Sequence, residues 1–290
     1  MNTEPVVAPD RGGISVPVVR FDFPAELVFS AQRGALRYAV ALDDRGRLDA
    51  LLLNKGSRAL VVVFHGAMLN GRHHLPRFEW LRTLDERTEY SCLFLSDPTL
   101  TVDSKLLLAW YLGWEGVELY PLLGEVITKA AEAAGADQIV LVGSSGGGFA
   151  ALQVAPHLPG SLAISFNAQT ALNRYHWKAQ ASYIRRIMPA LEQRDRSRRK
   201  WLLALGSRVS AITTYSEPRQ NYALVVQNVR DEHHYVKHYL PFRDSVQGGP
   251  NAERVRFEEY SAAPFHEPPG RARFVDTIDR GVTMLEDWTA

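Results

Sequence analysis

One stretch constrains this 290-residue chain more than any other: Asp137-Gln138-Ile139-Val140-Leu141-Val142-Gly143-Ser144-Ser145-Gly146-Gly147-Gly148-Phe149-Ala150-Ala151-Leu152. A β-branched apolar run of strand length stops at serines set among four glycines, and a small-residue helical pattern follows at once. Gly143, Ser145 and Gly147 fit G-x-S-x-G, in which a strained strand-to-helix turn lifts a serine hydroxyl clear of a sheet. The glycines are expected because side chains there would collide with strand and helix, and because the turn needs angles that glycine tolerates. Taking Ser144 instead would put Val142 where the first glycine belongs, so Ser145 is the candidate nucleophile. On composition alone the pattern turns up in about one shuffled chain in ten. Its weight therefore comes from the strand before, the helix after and the partners downstream. No lysine follows the glycines, which excludes a phosphate-binding P-loop, and G-x-G-x-x-G is not matched.

The flanking sequence supplies the rest of an α/β pattern. Residues 1–14 read as a flexible lead and 15–290 as one domain. Val16–Phe23 and Ala35–Leu42 are short β-rich runs suited to an antiparallel opening. Ala59–Phe64, Ser91–Leu95, Ser161–Phe166 and Asn221–Gln227 are continuous apolar runs, as strands buried on both faces require. Arg254–Tyr260 alternates as a strand does. Helical spacing covers 75–86, 119–134 with Gly135 as a stop, and 272–288. Strand and helix in this alternation predict a doubly wound, mostly parallel sheet. Residues 171–220 interrupt the rhythm. Between 173 and 219, eleven Lys and Arg face three acids, net +8, and the segment reads as an inserted helical lid.

Composition removes several alternatives. With a net charge of +1, nothing pulls the chain as a whole toward nucleic acid or a membrane surface. No apolar run approaches the roughly 18 residues of a membrane span. The one cysteine, Cys92, permits no internal disulfide, and no signal peptide precedes the first strand, so the expected location is the cytoplasm. Nothing in the sequence sets an oligomeric state.

A serine hydroxyl needs a base to take its proton, a carboxylate to hold that base and N–H donors for the developing oxyanion. After the run at 221–227 comes Asn228-Val229-Arg230-Asp231-Glu232-His233-His234; Asp231 is the candidate acid, with Glu232 its rival. After the last strand comes Pro264-Phe265-His266-Glu267-Pro268-Pro269-Gly270, a rigid mount for His266 as base. The order Ser145, Asp231, His266 is the one a strand-helix elbow calls for. Oxyanion donors would be the backbone N–H of Gly146 and of Ala67, in the turn His65-Gly66-Ala67-Met68, with Met68 the second choice. His65 reads as a structural hydrogen-bonder. Trp110, with Trp114 nearby in Leu106–Tyr120, could stack on a sugar or acyl group, or simply pack. His234, on the helix after Asp231, is a further candidate substrate contact. No carboxylate or cysteine cluster completes a metal site, and no cofactor is expected.

His65-Gly66, Gly143-x-Ser145-x-Gly147, Asp231 and His266 together give a chain that resembles the α/β-hydrolase superfamily over nearly its full length. The resemblance implies an eight-stranded sheet with a lid after the sixth strand, and roles of oxyanion turn, nucleophile, acid and base for the four matches. Gln227-Asn228-x-x-Asp231-x-x-His234 and Phe265-His266-Glu267-Pro268-Pro269 are also similar to hydrolase-like proteins of bacterial glycan and surface-glycoprotein assembly, including an accessory secretion component, which implies acetyl groups on sugars. The expectation is a serine esterase or acyl-transfer enzyme acting on a small-molecule or glycan ester, with the basic lid suited to an anionic one. Peptidase activity is a weaker reading, since nothing marks a peptide subsite. The alternative from another class is a non-catalytic module of the same fold that docks through the basic lid.

Overall fold

The computed structural model describes residues 6–9, 15–69, 72–194 and 204–289. Twelve strands occur among them: β1 Val6–Pro9, β2 Ser15–Phe21, β3 Gly34–Ala41, β4 Arg47–Asn54, β5 Ala59–Phe64, β6 Ser91–Ser96, β7 Gly113–Trp114, β8 Val117–Glu118, β9 Gln138–Ser144, β10 Leu162–Phe166, β11 Tyr222–Asn228 and β12 Val255–Tyr260. Ten of these form one sheet in the order β1-β2-β3-β4-β6-β5-β9-β10-β11-β12, while β7 and β8 make a separate hairpin. From β6 through β12 every pairing is parallel. The opening strands add antiparallel pairings of β4 with β6 and of β3 with β4. The architecture is α/β with a mostly parallel sheet, as expected, but with ten strands rather than eight. The additions include β1, inside the expected lead, and β4.

Parallel strands covered on both sides must be apolar on both faces, and here they are. Leu60, Val62, Leu93, Leu141 and Ala163 point to one face, packed with Leu123, Ile127, Phe149 and Leu152 from the helices Leu119–Ala134 and Gly146–Val154. Their strand neighbours Val61, Val63, Phe94, Val140 and Ile164 point to the other face, against Phe274, Ile278 and Leu285 of the closing helix Arg271–Thr289. The period-2 alternation of each strand thus fills two cores at once. Helix Leu119–Ala134 ends on Gly135 in the left-handed region, φ 67°, where glycine costs least. Residues 75–80 do not join the expected helix over 75–86, which is confined to Leu81–Arg87 because Trp80 before it adopts φ 67°.

The segment between β10 and β11 is helical in part: Trp177–Ile187, Pro189–Arg194 and Ala211–Thr214. Arg186 pairs with Asp103 and Arg208 with Glu118, both at 2.9 Å. Part of the charge of the expected lid is therefore tied to acids elsewhere in the fold. Arg196, Arg198, Arg199 and Lys200 lie outside the described residues. No described helix is long and apolar enough to cross a membrane.

Candidate active site

The turns after β5, β6, β9, β10, β11 and β12 all lie at the carboxyl edge of the parallel strands. β5 leads outward to β6, and β9 through β12 run the other way, so the chain reverses direction between β5 and β9. Open α/β sheets place their crevice at such a point. Ser145 stands there, at φ 55° and ψ −121°, and its N–H donates to Phe166 O on β10 at 2.9 Å. The strain sits on the serine, whereas the glycines around it supply room. A Cβ on Gly143 would stand 2.4 Å from the backbone carbon of Gly147, and one on Gly147 2.3 Å from Phe64 O. The expectation that glycine serves the turn by its backbone angles is corrected at these two positions; they are glycine because strand and helix touch there.

Asp231 follows β11 and is buried. Its Oδ2 accepts from His266 Nδ1 at 2.6 Å and its Oδ1 from His234 Nδ1 at 3.0 Å. Burial by itself would raise this carboxyl, but the hydrogen bonds from both imidazoles reverse that and hold it well below the usual carboxylate range. The two rings stack, with centroids 3.9 Å apart and planes 15° from parallel. His234 is buried, whereas the His266 side chain is 33% exposed, so the site opens on the His266 side. Ser145 is 8% exposed.

Gln169, three residues past the end of β10, links the serine to these histidines. Its Nε2 donates to Ser145 Oγ at 3.1 Å and lies 2.8 Å from His234 Nε2. Its Oε1 accepts from Trp110 Nε1 at 3.1 Å. Indole N–H only donates, so Trp110 fixes which end of the amide is oxygen, and both Nε2 hydrogens are then spent on Ser145 and His234. His234 Nε2 must accept, hence His234 carries its proton on Nδ1 and is neutral. Burial pushes it down to about 4. Ser145 Oγ and His266 Nε2 share no hydrogen bond in this structure; Gln169 is the partner of Oγ. With His266 Nδ1 donating to Asp231, its Nε2 is the lone-pair nitrogen left open.

The turn after β5 is braced from outside. Gly66 N–H donates to Glu79 Oε2 at 2.9 Å, and Arg77 bonds both Ala67 O at 2.7 Å and Glu79 Oε1 at 2.6 Å. Met68 N–H is taken by Leu107 O at 2.7 Å. No hydrogen bond among the described residues takes the N–H of Ala67 or of Gly146. His65 accepts from Asp97 N–H at Nε2 and bonds Gly66 O through Nδ1 at 2.7 Å, a structural role; burial holds it down to about 3.

The loop that carries His266 is fastened to two earlier strand ends. Asn167 Nδ2 donates to Glu267 O at 2.9 Å and to Tyr260 Oη at 2.8 Å, while its Oδ1 accepts from Asn228 N–H at 2.7 Å. Asn228 Nδ2 in turn donates to Ala263 O, and its Oδ1 accepts from Ala262 N–H. Asn167 and Gln169 carry no acid–base signal in the sequence, since the end of β10 holds amides and no acid. Their signal, two amides at a strand end next to the elbow strand, has meaning only once β10 is known to lie beside β9.

The structure brings Ser145, Asp231, His266, Gly146 and Ala67 to one edge, and it corrects three expectations. His234, expected as a substrate contact, is buried, and both of its ring nitrogens are occupied, by Asp231 and Gln169. Trp110 is fully buried and spends its N–H on Gln169. Trp114 is also buried, donates to Asp43 Oδ2 at 2.6 Å, and borders a cavity of about 420 Å³ with Met188, Leu191 and Arg208 that no residue of the Ser145 site lines. Ligand-type atoms of Asp231, His234 and His266 lie within 4.8 Å of one another. In the arrangement above, however, both Nδ1 atoms carry protons for the carboxylate and His234 Nε2 is covered by Gln169, which is not a donor set ready for a metal.

No protein-family model matches the chain, and no curated protein matches its sequence. Solved structures do match. The capsule O-acetyltransferase of Neisseria meningitidis serogroup A, solved with CoA, superposes with a TM-score of 0.56, at 12% identity, over 84% of this chain and 94% of its own. A Pyrococcus furiosus esterase gives 0.50, at 13% identity, over 90% and 92%. Prolyl oligopeptidase B from Galerina marginata gives 0.56, at 11% identity, over 85% of this chain and 36% of its own. At these identities the likeness establishes the fold alone: an α/β architecture with a mostly parallel sheet, consistent with the α/β-hydrolase fold. The similar structures thus include an O-acetyltransferase, a prolyl oligopeptidase and an esterase.

Proposed function

We propose that this chain is a serine acyl hydrolase or acyltransferase acting on a carboxylic ester. In this reading, Ser145 Oγ gives its proton to His266 Nε2 as it bonds to the substrate's acyl carbon. The carbonyl electron pair moves onto oxygen, held by the N–H groups of Gly146 and Ala67. On collapse, the C–O bond to the alcohol breaks, and the leaving oxygen takes the proton back from His266. Water or a second alcohol then repeats the sequence on the acyl-enzyme, with His266 acting as base again. Asp231 holds His266 in the required tautomer and stabilises the imidazolium formed in each half-reaction.

The observation that carries the reading is the 2.6 Å bond from His266 Nδ1 to buried Asp231, at the sheet edge where the strained Ser145 elbow stands. The fold shared with an O-acetyltransferase and an esterase supports acyl transfer to or from oxygen, and an acetylated glycan is the substrate favoured. Purified protein should hydrolyse p-nitrophenyl acetate and label with a fluorophosphonate probe, and Ser145→Ala should do neither. Adding acetyl-CoA and an oligosaccharide acceptor separates transfer from hydrolysis. Absence of both turnover and labelling in the native chain would overturn the proposal.

A further inference from the structure

Two histidines share the carboxylate of Asp231, and a serine hydrolase needs only one. They differ in what meets their far nitrogen. His234 Nε2 is 2.8 Å from Gln169 Nε2, whereas no described side chain bonds Nε2 of His266. We infer that Gln169 is a further catalytic residue, which selects His266 as the base by covering the lone pair of His234 while donating to Ser145 Oγ. The inference rests on the serine-nucleophile reading above.

The hydrogen inventory carries it. A primary amide offers two N–H donors and one carbonyl oxygen. Trp110 Nε1, a donor without acceptor capacity, occupies Oε1, and the amide cannot flip without setting two donors against each other in a buried site. Trp110 is itself held: it adopts φ 54°, its carbonyl accepts from Tyr120 Oη at 3.0 Å, and the next residue, Tyr111, donates its N–H to buried Asp97 at 2.9 Å. Gln169 therefore presents N–H to both Ser145 and His234. A hydroxyl that accepts from Gln169 has its single proton left to give, and of the two imidazoles only His266 has a free lone pair. The same N–H stays on Oγ throughout the cycle. When the acyl-enzyme breaks down, the C–Oγ electron pair returns to an oxygen already hydrogen-bonded by Gln169, and the proton comes from His266.

Two near-isosteric substitutions test this. Gln169→Met removes both donors, and Gln169→Glu replaces them with acceptors, so that Ser145 would give its proton to the wrong partner and His234 would need a proton on Nε2. Each should lower kcat about 100-fold, the scale of losing one donor at a reacting oxygen, with KM changed less than threefold and fluorophosphonate labelling slowed in parallel. Nitrogen-15 NMR of the imidazoles reads the tautomer directly: His234 should carry its proton on Nδ1 in the native chain and become doubly protonated near neutral pH in Gln169→Glu. Full native kcat in both variants, or a loss confined to KM, overturns the inference while leaving Ser145 as nucleophile. So does a native His234 protonated on Nε2, a measurement that needs no variant. If the native chain neither turns over nor labels, it is the serine-nucleophile reading that fails.

Discussion

Mild acid should loosen this fold. Burial holds His65 down to about 3, His234 to about 4 and His238 to about 2, while an unfolded histidine titrates near 6.5. Because the folded values are depressed, the stability these groups contribute is complete above about 6.5 and is lost as pH falls toward the folded values. At pH 5.5 each unfolded imidazole has bound its proton and each folded one has not, which costs about 1.4 kcal/mol apiece and about 4 kcal/mol for the three. Buried Asp97 works the other way. Desolvation raises it to about 6, so it protonates first in the folded chain and returns about 1 kcal/mol over the same window. The net expectation is a fall of about 3 kcal/mol between pH 7.5 and 5.5, a large share of the roughly 5–15 kcal/mol typical of a folded protein. Urea unfolding followed by tryptophan fluorescence at pH 7.5, 6.5 and 5.5 measures it. His238→Gln should keep an acceptor for Thr170 N–H, now bonded to His238 Nδ1, and remove about 1.4 kcal/mol, nearly half of the fall. A free energy that is flat or rises toward pH 5.5 would refute the reasoning.

Two further substitutions probe the scaffold. Gly147→Ala should cost about 3 kcal/mol or more, since the new methyl would press on Phe64 O and the β5 backbone has no room to retreat; a variant that unfolds with native midpoint would show that strand and helix are not in contact. Lys55→Met keeps the side-chain stem but removes an ammonium bonded to Leu84 O, Asp85 O and Thr88 O at 3.2, 2.9 and 2.6 Å. About 2 kcal/mol should be lost at the end of helix Leu81–Arg87, read by urea titration, and an unchanged midpoint would count against the charge-assisted cap.

Elements with a strong period were legible before any coordinates. Leu119–Ala134 has its observed bounds, and the apolar runs at 59–64 and 138–144 are the central strands, because burial on both faces leaves little choice of residue. Arg47–Asn54 is not legible as a strand, since Ala50-Leu51-Leu52-Leu53 lacks β-branching and reads equally as helix; only its pairing between β3 and β6 makes it one. In the candidate site, Ser145, Asp231 and His266 are legible as candidates from chemistry and chain order. Gln169 is not, because an amide has no acid-base signature and its role is created by neighbours 59 and 65 residues away. The tryptophans misled for a related reason. An aromatic cluster looks like a binding platform until the left-handed turn at Trp110 and Tyr111 rolls it inward.

The asparagine pair behind His266 bears on how such a molecule can be rebuilt. A decapeptide spanning 261–270 contains the imidazole but not what aims it, since the anchoring amides belong to Asn167 and Asn228, at the tips of two other strands. Grafting that loop onto a foreign scaffold would transplant the reagent without its mounting. A redesign that exchanged the loop while leaving both asparagines in place would begin with the aim already set.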